Sequence, residues 1–370
     1  MAIRLSEVTV AIDCRLSSGI GTILRNVVPR LSPHLKKLIL LGPGDLRDRW
    51  RLDGRNVEYV EYNVPVYGAA EQYGFPHRIT AQADLLHVPH YNVPIWWTKP
   101  LVVTLNDLTQ FQPEFGSSRV RRAVARGLIY WSLWRANALL TLSEYSRSDF
   151  EKDFGSRAHR LRVAHPGVDR RIFRPLDHGV ARSHVERVTG IGKPYVLTLG
   201  SVRPHKNLSG LIKAFAVAKQ RFGLNEALVI GGKREGFLTN SEFEIPERLR
   251  DEVIFTGAVG DSLLPALYAG SEAFVFPSLY EGFGIPPLEA MACEVPTLVS
   301  NRASLPEVVG DASLLVDPER TEEFAEAMTR IVSDAGLREK LINAGKSRAA
   351  LFDWDRTAER YLEAYDQALI

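Results

Sequence analysis

Two glutamates eight residues apart, Glu281 and Glu289, bracket the run Glu281-Gly282-Phe283-Gly284-Ile285-Pro286-Pro287-Leu288-Glu289. A carboxylate accepts strong hydrogen bonds from sugar hydroxyls. Backbone N–H groups at a helix start attract phosphate, because the helix dipole and the unpaired donors point the same way. Such a corner can hold a polyol and an anion together. Arg203 and Lys206, in the loop Ser201-Val202-Arg203-Pro204-His205-Lys206-Asn207, are fixed cations of the kind that neutralise a diphosphate. The bland alternative is a strand–loop–helix turn with two solvated glutamates. The basic loop taken together with the glutamate-flanked glycines favours a site.

The elements that would position these groups are legible. The apolar run 273–277 reads as a buried strand, and Pro287 reads as the first residue of a helix. Arg203 and Lys206 follow the strand 195–200 and precede an amphipathic helix over 208–222. In the first half, 8–13 reads as a strand, and Gly19-Ile20-Gly21 opens a helix that includes 22–28. These glycines match a dinucleotide fingerprint only loosely, since the third glycine is missing and the loop before them is too long. The segments 85–92 and 100–107 read as strands ending in polar groups. Loops at the carboxyl ends of parallel strands line ligand crevices, which makes His90, Asn106 and Asp107 candidate substrate contacts. Plain cap or turn duty is the alternative for each. Residues 118–140 read as one long helix with Arg119, Arg122 and Arg126 on one face and Trp131 and Trp134 near its end. A helix of that kind can lie on an anionic membrane, or its tryptophans can simply fill the core.

At 370 residues the chain is too long for one ordinary core, and strand–helix alternation in both halves means two mostly parallel sheets in series. Nothing in it is long and apolar enough to span a membrane, and the start lacks the apolar core of a signal peptide. Two distant cysteines, Cys14 and Cys293, suit a reducing cytoplasm and argue against structural zinc. The sequence shows no clustered His and Asp ligands, so no metal is expected. The net charge of +2 conceals an asymmetry: residues 1–173 carry +8 and residues 174–370 carry −6. The first half therefore suits an anionic lipid surface or a phosphorylated acceptor.

Together these pieces resemble the retaining glycosyltransferases of the GT-B fold, the group-four type described as "glycosyl transferases group 1". The resemblance runs nearly end to end. It rests on Gly19-Ile20-Gly21, Leu142-Ser143-Glu144-Tyr145-Ser146, His165-Pro166-Gly167-Val168-Asp169, the segment 200–207, Phe276-Pro277-Ser278-Leu279-Tyr280-Glu281-Gly282-Phe283-Gly284 and Pro306-Glu307-Val308-Val309-Gly310. The mannosyltransferase-like members that build bacterial surface polysaccharides are the nearest in character. The resemblance implies an α/β fold with two Rossmann-like doubly wound domains facing a cleft. Residues 1–173 would form the acceptor-side domain and 174–352 the nucleotide-sugar domain. Residues 353–370 would be a helix crossing back to the first.

It also implies roles. Glu289 would bind the donor ribose and Glu281 the donor sugar, with Gly282, the backbone of Phe283, Gly284 and Ile285, and Ser201 around them. Arg203 and Lys206 would grip the diphosphate, and Gly19, Gly21, His90 and Asp107 would serve the acceptor side. The donor would be a nucleoside diphosphate sugar, with GDP-mannose and UDP-glucose the leading choices, and no resident cofactor. The acceptor would be a saccharide, free or lipid-linked, and no nucleic acid would be bound. The enzyme would work in the cytoplasm, able to lie on the inner face of the membrane. Two positions depart from the family pattern. Ser201 stands where the family has an arginine, and Asn106 where it commonly has a histidine; Asn106 can donate a hydrogen bond but carries no proton at neutral pH. A nucleotide-sugar epimerase would need the fingerprint this chain lacks. A phosphorylase of the same fold and a non-catalytic carbohydrate-binding protein stay open at this point.

Overall fold

The computed structural model describes residues 4–16, 19–52, 54–68, 70–112, 115, 118–232 and 245–370. The chain forms two compact units, one of Met1–Gly167 with Trp354–Ile370 and one of Val168–Asp353.

The first unit is built on seven strands: β1 (Thr9–Asp13), β2 (Lys37–Gly42), β3 (Val57–Glu61), β4 (Leu85–Val88), β5 (Leu101–Thr104), β6 (Ala138–Thr141) and β7 (Leu161–Val163). All pair in parallel, in the order β3-β2-β1-β4-β5-β6-β7. Their central members are largely apolar and buried along their length, as a sheet covered on both faces requires. The C-terminal helix, Trp354–Ala368, packs on the helix Gly19–Leu31 and on β5 and β6. It buries Trp354, Tyr361 and Tyr365. Its Thr357 hydroxyl donates to the His165 carbonyl over 2.7 Å, and the Tyr365 hydroxyl lies 2.9 Å from Nδ1 of the buried β4 residue His87.

The second unit has six strands: β8 (Tyr195–Leu199), β9 (Ala227–Gly231), β10 (Val253–Gly257), β11 (Ala273–Phe276), β12 (Thr297–Ser300) and β13 (Leu314–Val316). These too are parallel, in the order β10-β9-β8-β11-β12-β13. Its core gathers Phe215, Leu228, Val275, Leu298, Phe324 and Met328 around the sheet. Strand order reverses between β1 and β4 in one unit and between β8 and β11 in the other, so each sheet has one topological switch point.

Two local expectations need correcting. The helix expected over 118–140 ends at Arg135, and Ala138–Thr141 is β6. Asn137 makes the break: its N–H donates to the Leu101 carbonyl and its side chain accepts from the Leu101 N–H. Strand pairing therefore captures an apolar run that helical periodicity also fits. The helix read as starting at Pro287 starts at Ile285, which changes its donors, as described below. Among the described residues, no helix is long and apolar enough to cross a membrane.

Candidate active site

In the second unit, the loops leaving β8 and β11 at the switch point carry the basic residues and the glutamate–glycine run. In a doubly wound sheet this is where a ligand crevice opens. The loops are joined by backbone, Leu279 N–H donating to the His205 carbonyl over 2.7 Å. They are also joined by charge, with Lys206 Nζ 2.5 Å from Glu281 Oε1. Both side chains are mostly covered, at 16% and 13% exposed. Lys206 also sits 5.1 Å from the centroid of the Phe276 ring. A hollow beside the pair is lined by Gly200, Ser201, Lys206, Phe276 and Ser278, among others. The Ser278 hydroxyl there is buried without a hydrogen-bond partner among the described residues. Arg203 stands exposed in the same basic loop.

Gly284 caps the helix Ile285–Ala292 at a φ of 106°, and a Cβ there would stand 2.6 Å from Leu305 Cδ2. Only glycine fits both the angle and the space. Pro286 and Pro287 have no N–H, so the first-turn donors reduce to those of Gly284 and Ile285. Gly282 and Phe283 are buried, and Phe283 packs edge-on against Phe352. The buried Ser304 hydroxyl lies 2.9 Å from the Glu281 carbonyl and 2.8 Å from that of Phe283, pinning the loop from beneath. Glu289, one turn into the helix and half-buried, accepts from the Tyr268 hydroxyl over 2.7 Å. Burial, and then the Glu289 charge, holds the Tyr268 phenol well above its ordinary pKa, so it stays a donor. The same two causes push the neighbouring Cys293 thiol up to about 12.

In the first unit, the β1 and β4 ends at the switch point carry a buried polar network that the sequence did not reveal. Asp13 closes β1. Its carboxylate accepts from Arg15 at 2.9 and 2.5 Å and lies 3.1 Å from His90 Nε2. Arg15 also bonds Glu71 at 2.5 Å and lies over the Tyr62 ring. Burial opposes the Asp13 charge, but the Arg15 and His90 bonds outweigh it and hold the carboxyl well below the usual carboxylate range. Asp13, Glu71 and His90 together make a buried carboxylate–imidazole cluster of metal-ligand type, contrary to the expectation of no clustered ligands. Arg15, a cation of the chain itself, already bonds both carboxylates.

The buried His90 accepts at Nδ1 from the Asn92 N–H and faces Asp13 through Nε2, so both ring nitrogens are engaged within the unit. Asn106 donates to the Pro89 carbonyl over 2.8 Å, and Asp107 Oδ1 accepts from the Thr109 N–H. Gly21 has a structural reason to be glycine, because a Cβ would stand 2.5 Å from the Leu16 carbonyl oxygen. At Gly19, by contrast, a Cβ would meet open space among the described residues.

The structure thus gathers Ser201, Lys206, Glu281 and Gly282–Ile285 around one switch point and places His90, Asn106 and Asp107 on adjacent strand ends. Sequence reasoning missed Tyr268, Ser304, Asp13, Arg15 and Glu71. The one available signal was a charged pair, Asp13 and Arg15, directly after an apolar strand.

The family described as "Glycosyl transferases group 1" matches residues 183–348, and "Glycosyltransferase Family 4" matches residues 20–171. The chain is 32% identical over 290 residues to the O-antigen chain mannosyltransferase B of Escherichia coli, covering 76% of this chain and 74% of that one. It is 36% identical over 303 residues to a D-inositol 3-phosphate glycosyltransferase of Actinosynnema mirum, covering 78% and 70%. Among solved structures, Anabaena Alr3699/HepE in complex with UDP-glucose superposes with a TM-score of 0.77 at 18% identity, over 97% of this chain and 99% of that one. Parallel doubly wound sheets, a glutamate–glycine corner at a switch point and these matches converge: the chain belongs to the family 4 glycosyltransferases, which have the GT-B fold.

Proposed function

We propose that the protein moves a hexose from a nucleoside diphosphate sugar to an acceptor hydroxyl with retention at the anomeric carbon. The observation that carries this reading is the Lys206–Glu281 pair, 2.5 Å apart beside a glycine-capped helix start. One partner suits a phosphate, the other a sugar hydroxyl, and the pair, with 16% and 13% of its side chains exposed, can exchange its internal contact for ligand contacts. Lys206, Arg203 and the Gly284 and Ile285 N–H groups stabilise the charge developing on the diphosphate. Glu289, aimed by Tyr268, takes the ribose hydroxyls. The sugar C1–O bond to the diphosphate breaks, the acceptor oxygen bonds C1 on the same face, and its proton passes to the leaving phosphate oxygen. Asn106 and Asp107 orient hydroxyls, and His90 holds the strand end that carries them. No resident cofactor or metal takes part. We take GDP-mannose as the first donor to test and a bacterial surface saccharide as the first acceptor, a choice supported by the relative described as an O-antigen chain mannosyltransferase.

The test is GDP binding and mannosyl transfer by wild type, Glu289→Ala and Glu281→Ala. Hydrogen bonds to a carboxylate contribute about 1.5–3 kcal/mol, so Glu289→Ala weakens GDP binding roughly 10- to 100-fold, while Glu281→Ala chiefly lowers kcat. Equal GDP affinity in wild type and Glu289→Ala refutes the ribose assignment. An anomerically inverted product refutes retention, and activity abolished by EDTA refutes metal independence.

A second reading concerns the helix Arg119–Arg135, and one feature favours it. The helix carries five arginines and no acid, and it leaves Val120, Val124 and Trp134 exposed, Trp134 by 60%. Trp134 therefore does not fill the core. A basic helix with an uncovered apolar face fits peripheral contact with an anionic membrane. Cosedimentation with phosphatidylglycerol vesicles should exceed that with phosphatidylcholine and fall on Trp134→Glu. Equal binding to both vesicle types removes this reading.

A further inference from the structure

Tyr67 is a tyrosine in a backbone conformation that suits glycine. Its φ is 68°, and it sits in the turn that joins β3 to the helix Ala70–Gly74. A turn alone does not ask for tyrosine there, because glycine makes it without strain. Nor does the core ask for it, since Tyr67 is 49% exposed. The ring instead stacks on Tyr91, with centroids 5.0 Å apart and planes within 25°, and meets His90 edge-on at 5.5 Å.

The turn is held from below by the buried network. The Tyr67 N–H donates to Glu71 Oε2 over 2.7 Å, and the same carboxylate accepts from the Asn92 side chain and from Arg15. Arg15 also donates to the Val64 carbonyl at the start of the turn. Thus three buried side chains, Asp13, Arg15 and Glu71, fix an exposed aromatic ring beside the β4 end. The Tyr91 hydroxyl, pushed up to about 12 by burial and then by Glu71 and Asp107, keeps its proton and remains a donor.

We propose that Tyr67, backed by Tyr91, is a saccharide platform of the first unit: the exposed Tyr67 face takes the flat C–H face of a pyranose ring belonging to the acceptor. A rigid aromatic surface with phenol hydroxyls and the Asp107 carboxylate nearby offers what a pyranose presents, an apolar face bordered by hydroxyls. This assignment rests on the glycosyltransferase reading for the word acceptor, but the binding of a pyranose stands by itself.

The experiment is saturation-transfer NMR on the full chain with methyl α-D-mannopyranoside and methyl α-D-glucopyranoside as probes. Wild type, Tyr67→Phe and Tyr67→Gly are compared, each below its unfolding transition. Tyr67→Gly removes the ring while accepting the positive φ, so loss of signal does not stem from a broken turn. Wild type and Tyr67→Phe should saturate the ring protons of at least one probe, and Tyr67→Gly should reduce that signal about five-fold or more. No saturation by wild type with either probe overturns the proposal, as does equal saturation by wild type and Tyr67→Gly. GDP-mannose turnover by wild type is measured separately. Saturation without turnover leaves the platform standing and removes GDP-mannose as the donor, whereas turnover without saturation overturns the platform and keeps the transfer reading.

Discussion

His87 makes the fold of the first unit sensitive to acid, by an amount that follows from its surroundings. It is fully buried in β4, with Nε2 2.9 Å from the Thr104 hydroxyl and Nδ1 2.9 Å from the Tyr365 hydroxyl on the C-terminal helix. Burial lowers its pKa from 6.5 to about 3, with Asp13 opposing and His90 adding to the fall. The unfolded chain therefore takes up a proton near pH 6.5 that the folded chain refuses until about pH 3. Between those values the unfolded state binds one more proton, so stability is lost as pH falls through that window. The slope is about 1.4 kcal/mol per pH unit, or roughly 2 kcal/mol between pH 7.5 and 5. Asp13 does not confuse the comparison: its carboxyl is depressed, so its contribution fades only below the ordinary carboxylate pKa. Urea unfolding of wild type and His87→Gln at pH 7.5, 6 and 5 measures the effect, because glutamine fills the site but does not titrate. The two pH slopes should differ by one proton, and the His87 ring signals should not titrate above pH 5. Identical slopes, or a His87 titration near 6.5, would refute the account of a neutral histidine locked between β4 and the C-terminal helix.

Two further changes probe the second unit. Tyr268→Phe deletes the 2.7 Å hydrogen bond to Glu289. Water can partly replace it on a half-buried carboxylate, so about 1 kcal/mol is expected, a roughly five-fold rise in the Kd for GDP with kcat nearly unchanged. Unaltered GDP affinity by titration calorimetry rules out an aiming role for Tyr268. Gly284→Ala forces a side chain into a left-handed backbone against Leu305. The combined strain and overpacking should cost about 2–4 kcal/mol, visible as a lower urea midpoint together with weakened GDP binding. A midpoint equal to wild type means the loop relaxes freely.

Much of the fold was legible because parallel strands buried on both faces are continuous apolar runs, and β2, β8, β9 and β11 are of that kind. The same property misled at 138–141, where an apolar run fits helix and strand alike until Asn137 pairs with Leu101. In the site, Glu281, Lys206 and Gly284 could be read because each has a recognisable chemistry in its own loop. Their pairing could not, since Lys206 and Glu281 meet across 75 residues of chain. Asp13, Glu71 and His90 were harder still. Each alone looks like a turn residue; the adjacency of β1 and β4 brings Asp13 and His90 together, and Glu71 joins them from the helix Ala70–Gly74.

The two switch points carry similar charges in opposite energetic states, and that difference separates their tasks. In the first unit Asp13, Arg15 and Glu71 keep only 3–5% of their side chains exposed and bond one another. Removing one partner from such a network strands a buried charge at a cost of about 3–5 kcal/mol, so a ligand gains nothing by opening it. It serves as scaffold, and what it presents is the ring of Tyr67. In the second unit Lys206 and Glu281 are about three times as exposed, so separating them costs less than opening the buried network. Under the proposed function, a diphosphate on Lys206 and a sugar hydroxyl on Glu281 would replace that contact with two charge-assisted ones. The more exposed pair is the easier one for a ligand to displace, in keeping with the donor role proposed for the second unit.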